Sequence, residues 1–247
     1  MKTKPIYLKI ASDVFWFQLK WTIPFFSIIL LVHLIQNAPV FTKGQPLQDF
    51  LLTSYISSNI YMFIIGIISA AVFLPFYVKN GLTRKDYFKS AILGSSGLAV
   101  ALVLASAMIA GIEHLVIQMI DFPYGIESIN VLQDAKDTDN NVIAIIVTGM
   151  LFSPIIDPGH GWVLTLFLFS VNLFTYFVMG WMIGAAFYRM KLIGFAVLAL
   201  FIFLLRIRDI IWESGLPLYA SMAGLFVLIG IMLWIIKLLS RRVTIKL

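Results

Sequence analysis

From residue 50 to residue 78 the chain reads FLLTSYISSNIYMFIIGIISAAVFLPFYV, without one charged side chain. A membrane-crossing helix needs about 20 mostly apolar residues, so this stretch is long enough to span a bilayer. It decides the fold class because the chain repeats it. Trp21–Gln36, Ala91–Ile120, Trp162–Tyr188, Leu192–Leu205 and Leu216–Ile236 are apolar runs of the same kind. Over the 247 residues, 61% are apolar and 12% are charged. Soluble domains average roughly 45–50% and 25%. The composition therefore excludes a soluble globular protein, and equally a disordered chain, which would be poor in apolar residues. The predicted fold is all-α: a polytopic membrane protein of six transmembrane helices forming one domain over residues 1–247.

Two of the six runs need help. Trp21–Gln36 extends back through Phe15, Trp16 and Phe17. Leu192–Leu205 extends forward through Ile210, Ile211 and Trp212 if Arg206 and Arg208 are sheltered by protein. A seventh run, 142–156, is short and contains Pro154, and is expected to be an outer-leaflet or re-entrant segment. Charge decides between six spans and seven. With six, one side collects Lys2, Lys4, Lys9, Lys20, Lys79, Arg84, Lys85, Lys89, Arg189, Lys191, Lys237, Arg241, Arg242 and Lys246. The other receives only Lys43, Lys136, Arg206 and Arg208. The positive-inside rule then places both chain ends in the cytoplasm. The net charge of +6 belongs to these loops, and no nucleic-acid partner is implied.

Residues 4–21 read as a helix that keeps Lys9, Asp13 and Lys20 on one narrow stripe. With Trp16 and Trp21 it is expected to lie at the cytoplasmic membrane surface, giving an interfacial helix over residues 1–20. Asp13 and the aromatics before the first apolar run, and the lack of a small-residue cleavage site after it, do not fit a cleaved signal peptide. The sizeable polar region is the external segment 121–161.

Enzyme chemistry finds little footing. The chain has no Cys, so disulfides and thiolate sites are excluded. It lacks the glycine-rich phosphate loop ending in Lys-Ser/Thr that would cradle a nucleotide. His33, His114 and His160 are scattered, and Glu113 and His114, being adjacent, do not share a helix face. Gly94-Ser95-Ser96-Gly97 resembles a serine-hydrolase motif only superficially. His114 is about 28 Å further along the same predicted helix. Small residues four apart have a plainer use in packing membrane helices. Gly97, Ala101 and Ala105 have that spacing, as do Gly180 and Gly184, and Ala220 and Gly224. Arg206, Arg208, Asp209 and Glu213 cluster where the fifth span leaves the membrane. They are either an outer gate or headgroup-level charges that pair with one another. No ion-coupling group stands near the middle of a span, so a transporter of this kind would draw its energy from elsewhere.

The segment after Val78 carries most information: Lys79-Asn80-Gly81-Leu82-Thr83-Arg84-Lys85-Asp86-Tyr87-Phe88-Lys89-Ser90. Gly81 permits a turn. Thr83 can cap a short helix with Asp86 as its acidic partner. Arg84, Lys85 and Lys89 are expected to stay in water, and Tyr87 and Phe88 to anchor in a partner's groove. This pattern, asparagine–glycine followed by a capped Arg and paired aromatics, resembles the connector between spans two and three in permease subunits of ABC-2-type exporters. Six spans, cytoplasmic ends and an N-terminal amphipathic helix fit the same family. The size is similar to that of small Gram-positive permeases for amphipathic peptides and for antibiotic-peptide immunity.

The resemblance implies that Asn80–Phe88 is a coupling helix docking on a separate ATPase subunit. That partner would bind ATP and Mg; this chain would bind no cofactor and catalyse nothing. A second permease chain, like or unlike, would complete the pore in a bacterial plasma membrane. The cargo would be amphipathic or hydrophobic. One departure stands out. Many members carry re-entrant helices between spans five and six, whereas here that loop, Arg206–Gly215, is short and the large external segment follows span three. The alternative is the substrate-binding membrane subunit of a vitamin-type importer, although the first span lacks the A-x-x-x-A spacing such subunits often use.

Overall fold

The computed structural model describes residues 5–39, 47–119, 126–127, 161–189, 191–213 and 217–241. The described residues are almost entirely helical. In chain order they form α1 (Ile6–Asn37), β1 (Leu47–Gln48), α2 (Phe50–Ile68), a π-helical turn (Ser69–Phe73), α3 (Leu74–Lys79), α4 (Arg84–Met119), β2 (Ile126–Glu127), α5 (Trp162–Arg189), α6 (Lys191–Glu213) and α7 (Leu218–Arg241). Five helical rods are long and apolar enough to cross a membrane: α1, α2 with its continuation through α3, α4, α5 and α7. This is the architecture of a multi-pass membrane protein. The remaining helix, α6, carries Arg206, Arg208 and Asp209 in its second half and is not among those five. It does run past Leu205 through Trp212, as the extended fifth run requires. The run 142–156 lies outside the described residues.

The expected interfacial helix is not a separate element. Residues 6–20 continue into the first apolar run as one helix of 32 residues, about 48 Å long. Pro24 lies inside it and withholds its N–H from the preceding turn, yet the helix does not end there. The sequence contains no glycine between residues 5 and 37 that would stop it.

α5 is the central helix. It packs on α2, α4, α6 and α7, and every residue from Tyr176 to Ala186 is buried. Glycines permit this. A Cβ on Gly180 would meet the Phe63 carbonyl oxygen at 2.0 Å, and one on Gly66 would meet that of Phe177 at 2.1 Å. Gly184 lies against Ile67 and Ala70 in the same way. α2 and α5 therefore cross backbone on backbone, a contact that only residues without side chains allow.

α1 is built differently. Its buried residues are Ala11, Val14, Gln18, Thr22, Ile29, His33 and Asn37. Four of those seven are polar, while Ile23, Ile28, Leu31, Leu34 and Ile35 are exposed. A soluble helix buries its apolar stripe. This one faces its polar stripe toward α4 and α2 and leaves its apolar flank outside. At the far end of the bundle, β1 pairs in parallel with β2, Leu47 opposite Ile126 and Gln48 opposite Glu127.

Candidate functional site

The connector between α3 and α4 is shaped by two capping devices in succession. Asn80 closes α3 and Gly81 follows at φ +85°, a conformation that costs other residues a clash at Cβ. The Gly81 N–H donates to the Val78 carbonyl and the Leu82 N–H to that of Tyr77, both at 3.1 Å. That pair of bonds is the Schellman helix end, which satisfies carbonyls the helix would leave open. Two residues on, the Asp86 N–H donates to Thr83 Oγ1 at 3.1 Å, and that hydroxyl donates to the Asp86 carboxylate at 2.6 Å. Thr83 thus caps α4 as the sequence suggests. The helix it caps is not short, however. α4 runs on unbroken for 36 residues, so Arg84–Phe88 are the first turn of a long rod and not a detached coupling helix. Gly94, Gly97 and the alanines that follow do not break it, because small residues inside an otherwise apolar helix still supply their backbone bonds.

Tyr87 departs furthest from expectation. It is fully buried and cannot enter a partner's groove from this position. Its hydroxyl donates to the Ser69 carbonyl at 2.6 Å and accepts from Ser69 Oγ at 2.7 Å. The reason is helical phase. Tyr87, Ser90, Ala91, Gly94, Ser95 and Leu98 form the buried stripe of α4, and a residue on that stripe turns inward wherever the helix begins. Phe88 is half-buried against Trp181, with ring centroids 5.3 Å apart. Arg84 is half-buried as well, and its Nη1 donates to the Ser240 carbonyl near the end of α7 at 3.4 Å. Leu82 and Asp86 are half-buried. What faces water is Lys79, Asn80, Gly81, Thr83, Lys85 and Lys89; the Lys89 ammonium also sits 5.3 Å from the Tyr7 ring centroid. Since Ser90 Oγ bonds the Tyr7 carbonyl, the starts of α1 and α4 and the end of α7 meet at one basic end.

The four charges expected at an outer gate do not share one surface. Arg206 is exposed, whereas Arg208 is fully buried. Residues two apart on a helix point to nearly opposite sides. The Arg208 guanidinium donates to the Tyr176 hydroxyl and lies 5.3 Å from that ring's centroid. The side chains of Asp209 and Glu213 lie outside the described residues. One turn from Tyr176, Asn172 donates to the Tyr55 hydroxyl at 2.9 Å and to Asn59 Oδ1 at 3.1 Å. Among the small residues, Gly180 and Gly184 are at the α2–α5 crossing. A Cβ on Gly97 would meet only the Phe15 ring, at 3.4 Å; it is Gly94 that lets α4 approach α1, where a Cβ would come within 2.9 Å of the Ala11 carbonyl oxygen. Ala101 and Ala105 are half-buried.

At the far end the structure joins residues that sequence reasoning leaves apart. Glu113 Oε1 is 2.8 Å from His33 Nε2, and Glu113 Oε2 accepts the Phe50 N–H at 3.0 Å. Asn37 pairs with the backbone of Gln48: its amide nitrogen donates to the Gln48 carbonyl and its oxygen accepts the Gln48 N–H. That fixes the orientation of the amide, so the Asn37 nitrogen 3.1 Å from His33 Nε2 can only be a donor there. His33 Nε2 then has a donor on one side and a carboxylate on the other. Asp49 caps α2 through the Leu51 N–H at 2.8 Å and stands 3.7 Å from His114 Nε2. A lone acid and a lone His in apolar runs at matching depth are the signal that points to this knot.

The chain matches no family model, no curated protein and no solved structure.

Proposed function

We propose that this chain is the permease subunit of an ATP-binding cassette exporter. In that reading six helices cross the membrane, with both chain ends and the basic end of the bundle in the cytoplasm. A separate ATPase subunit supplies ATP, Mg and the energy, a second permease chain, like or unlike, completes the path, and the cargo is an amphipathic or hydrophobic molecule such as a peptide. The observation that carries it is the connector. Its exposed residues, Lys79, Asn80, Gly81, Thr83, Lys85 and Lys89, ride on a turn that is capped on both sides and tied to α7 through Arg84 and Ser240. A load applied to this turn reaches several helices at once, which is what an energy-transmitting contact requires. Lys85 and Lys89 give the docking face its charge. The buried Tyr87 belongs to the transmission behind it.

The test is recovery of an ATPase. Tagged protein, purified from its own host in mild detergent, is expected to bring along an ATPase chain carrying the glycine-rich phosphate loop. The double variant Lys85→Glu, Lys89→Glu should reduce that recovery at least about tenfold, because reversed charge at a docking rim sets like against like, with membrane insertion unchanged. Recovery of no ATPase from the parent protein overturns the reading. Tight binding of a small ligand by the isolated chain would favour the vitamin-type importer instead.

A further inference from the structure

The rod made of α2 and α3 contains one irregular turn, and everything around it is arranged to bend there. Between Ser69 and Phe73 the backbone is π-helical. The Leu74 N–H reaches back five residues to the Ser69 carbonyl, one residue beyond α-helical spacing. Pro75 follows immediately and has no N–H to give to the turn before it. A π-turn and a proline are two of the recognised causes of sharp bends in helices, and π-turns inside long helices often mark functional positions. Here they are adjacent.

The two sides of this turn are attached to different things. On the α2 side, Gly66 lies against the backbone of Phe177 and Trp181, and Phe63 against Gly180. That side cannot move without α5. On the other side, α3 is continuous with the connector: the Leu82 N–H bonds the Tyr77 carbonyl, and the Tyr77 and Tyr87 rings lie 5.7 Å apart. α3 and the connector form one unit, which ends against the first turn of α4, where Phe88 packs on Trp181 of α5. Between the two sides stands the Tyr87 hydroxyl, in the first turn of α4, holding the Ser69 carbonyl and the Ser69 hydroxyl together. The Ser69 carbonyl already accepts the wide bond from Leu74. The phenol therefore bonds the same atom that defines the π-turn.

We propose that Ser69–Phe73 is a hinge between an α2 fixed on α5 and a movable unit of α3 and the connector, and that Tyr87 is the pin that sets its angle. Tyr87 is a positioning residue. It acts on the hinge through Ser69 and touches nothing that is transported. The proposal does not depend on the permease reading, because hinge and pin lie within this chain.

The absence of Cys makes a direct test practicable. Spin labels on Lys79→Cys and Tyr188→Cys report the distance between the tip of α3 and the end of α5. Labels on Ile60→Cys and Phe167→Cys report on the α2–α5 pair on the other side of the hinge. Both pairs are measured on the purified chain, with and without Tyr87→Phe, which keeps the ring and removes the hydroxyl. A bend of about 20° over the roughly 12 Å from the π-turn to Lys79 moves the tip by about 4 Å. The expected result is a shift or second population of that size for the Lys79–Tyr188 pair, with the Ile60–Phe167 distance unchanged. Identical distributions for Lys79–Tyr188 in the two backgrounds overturn the pin. A shift in both pairs overturns the hinge, since it means that the whole bundle has loosened.

Discussion

α5 and α1 are both membrane-length helices held against α2 and α4, and they are held by opposite means. α5 is buried along most of its length, 61% of its most apolar stretch against 22% for α1. It gains contact by discarding side chains: Gly180 and Gly184, with Gly66 opposite, let two backbones touch. α1 keeps lipid-facing apolar residues outward and meets its neighbours through Gln18, Thr22, His33 and Asn37. Lipid explains the difference. In a bilayer an apolar side chain gains little by leaving hydrocarbon for protein, so helices associate through close fit or through hydrogen bonds. The first route tolerates no added atoms. The second tolerates them but fails when a partner is removed.

That contrast can be broken most severely at Gly180. Gly180→Ala puts a methyl 2.0 Å from the Phe63 carbonyl oxygen, a backbone atom that cannot step aside. The expected loss is about 3 kcal/mol or more, at or beyond the upper end for overpacking, read as thermal unfolding in detergent. Gly97→Ala is the control. Its Cβ would meet only the Phe15 ring at 3.4 Å, and the midpoint should move little. Equal behaviour of the two would mean that backbone contact does not set the α2–α5 pair.

On the polar side the largest effect is expected at Glu113. Glu113→Ala leaves the Phe50 N–H without its acceptor and His33 without its carboxylate partner, a loss of about 2 kcal/mol for buried groups. In a double-mutant cycle with His33→Ala the two losses should fall short of additive by about 1 kcal/mol. Additive losses would show that the two side chains do not act together. The smallest effect is expected at Gln18. Ser95 Oγ donates to its side-chain oxygen at 3.3 Å, but its Nε2 is buried without a partner. Gln18→Leu exchanges a long bond for relief of that nitrogen, and the net change should stay within about 0.5 kcal/mol. A loss above 2 kcal/mol would mean that Nε2 is satisfied in the folded protein.

The helical, membrane-spanning character was legible because it is written in long apolar runs, which need no knowledge of partners. The turn at Gly81 and the cap at Thr83 were legible because both depend on residues a few positions apart. Four other features were not. The polar stripe of α1 escapes any search for an apolar face, since lipid rewards the reverse arrangement. Tyr87 reads as an exposed anchor if α4 is a short helix and as core if it is a long one, and nothing between Tyr87 and Gly97 marks which. Spacing alone selects Gly97 as readily as Gly180, and passes over Gly66 although Ala70 stands four residues on. Only the opposing backbone separates them. Arg208 and Tyr176 were likewise beyond reach, because their meeting depends on how α6 is rotated against α5.

The link between His33 and Glu113 joins residues 80 positions apart, and this bears on how the protein is made. A ribosome adding about 5–20 residues per second needs several seconds to pass from one to the other. During that interval α1 has been synthesised, yet the helix that satisfies His33 has not. The newborn α1 therefore needs a temporary companion for its polar stripe, whether the insertion machinery, interfacial water or another protein. Folding of its far end can be completed only once α4 has arrived.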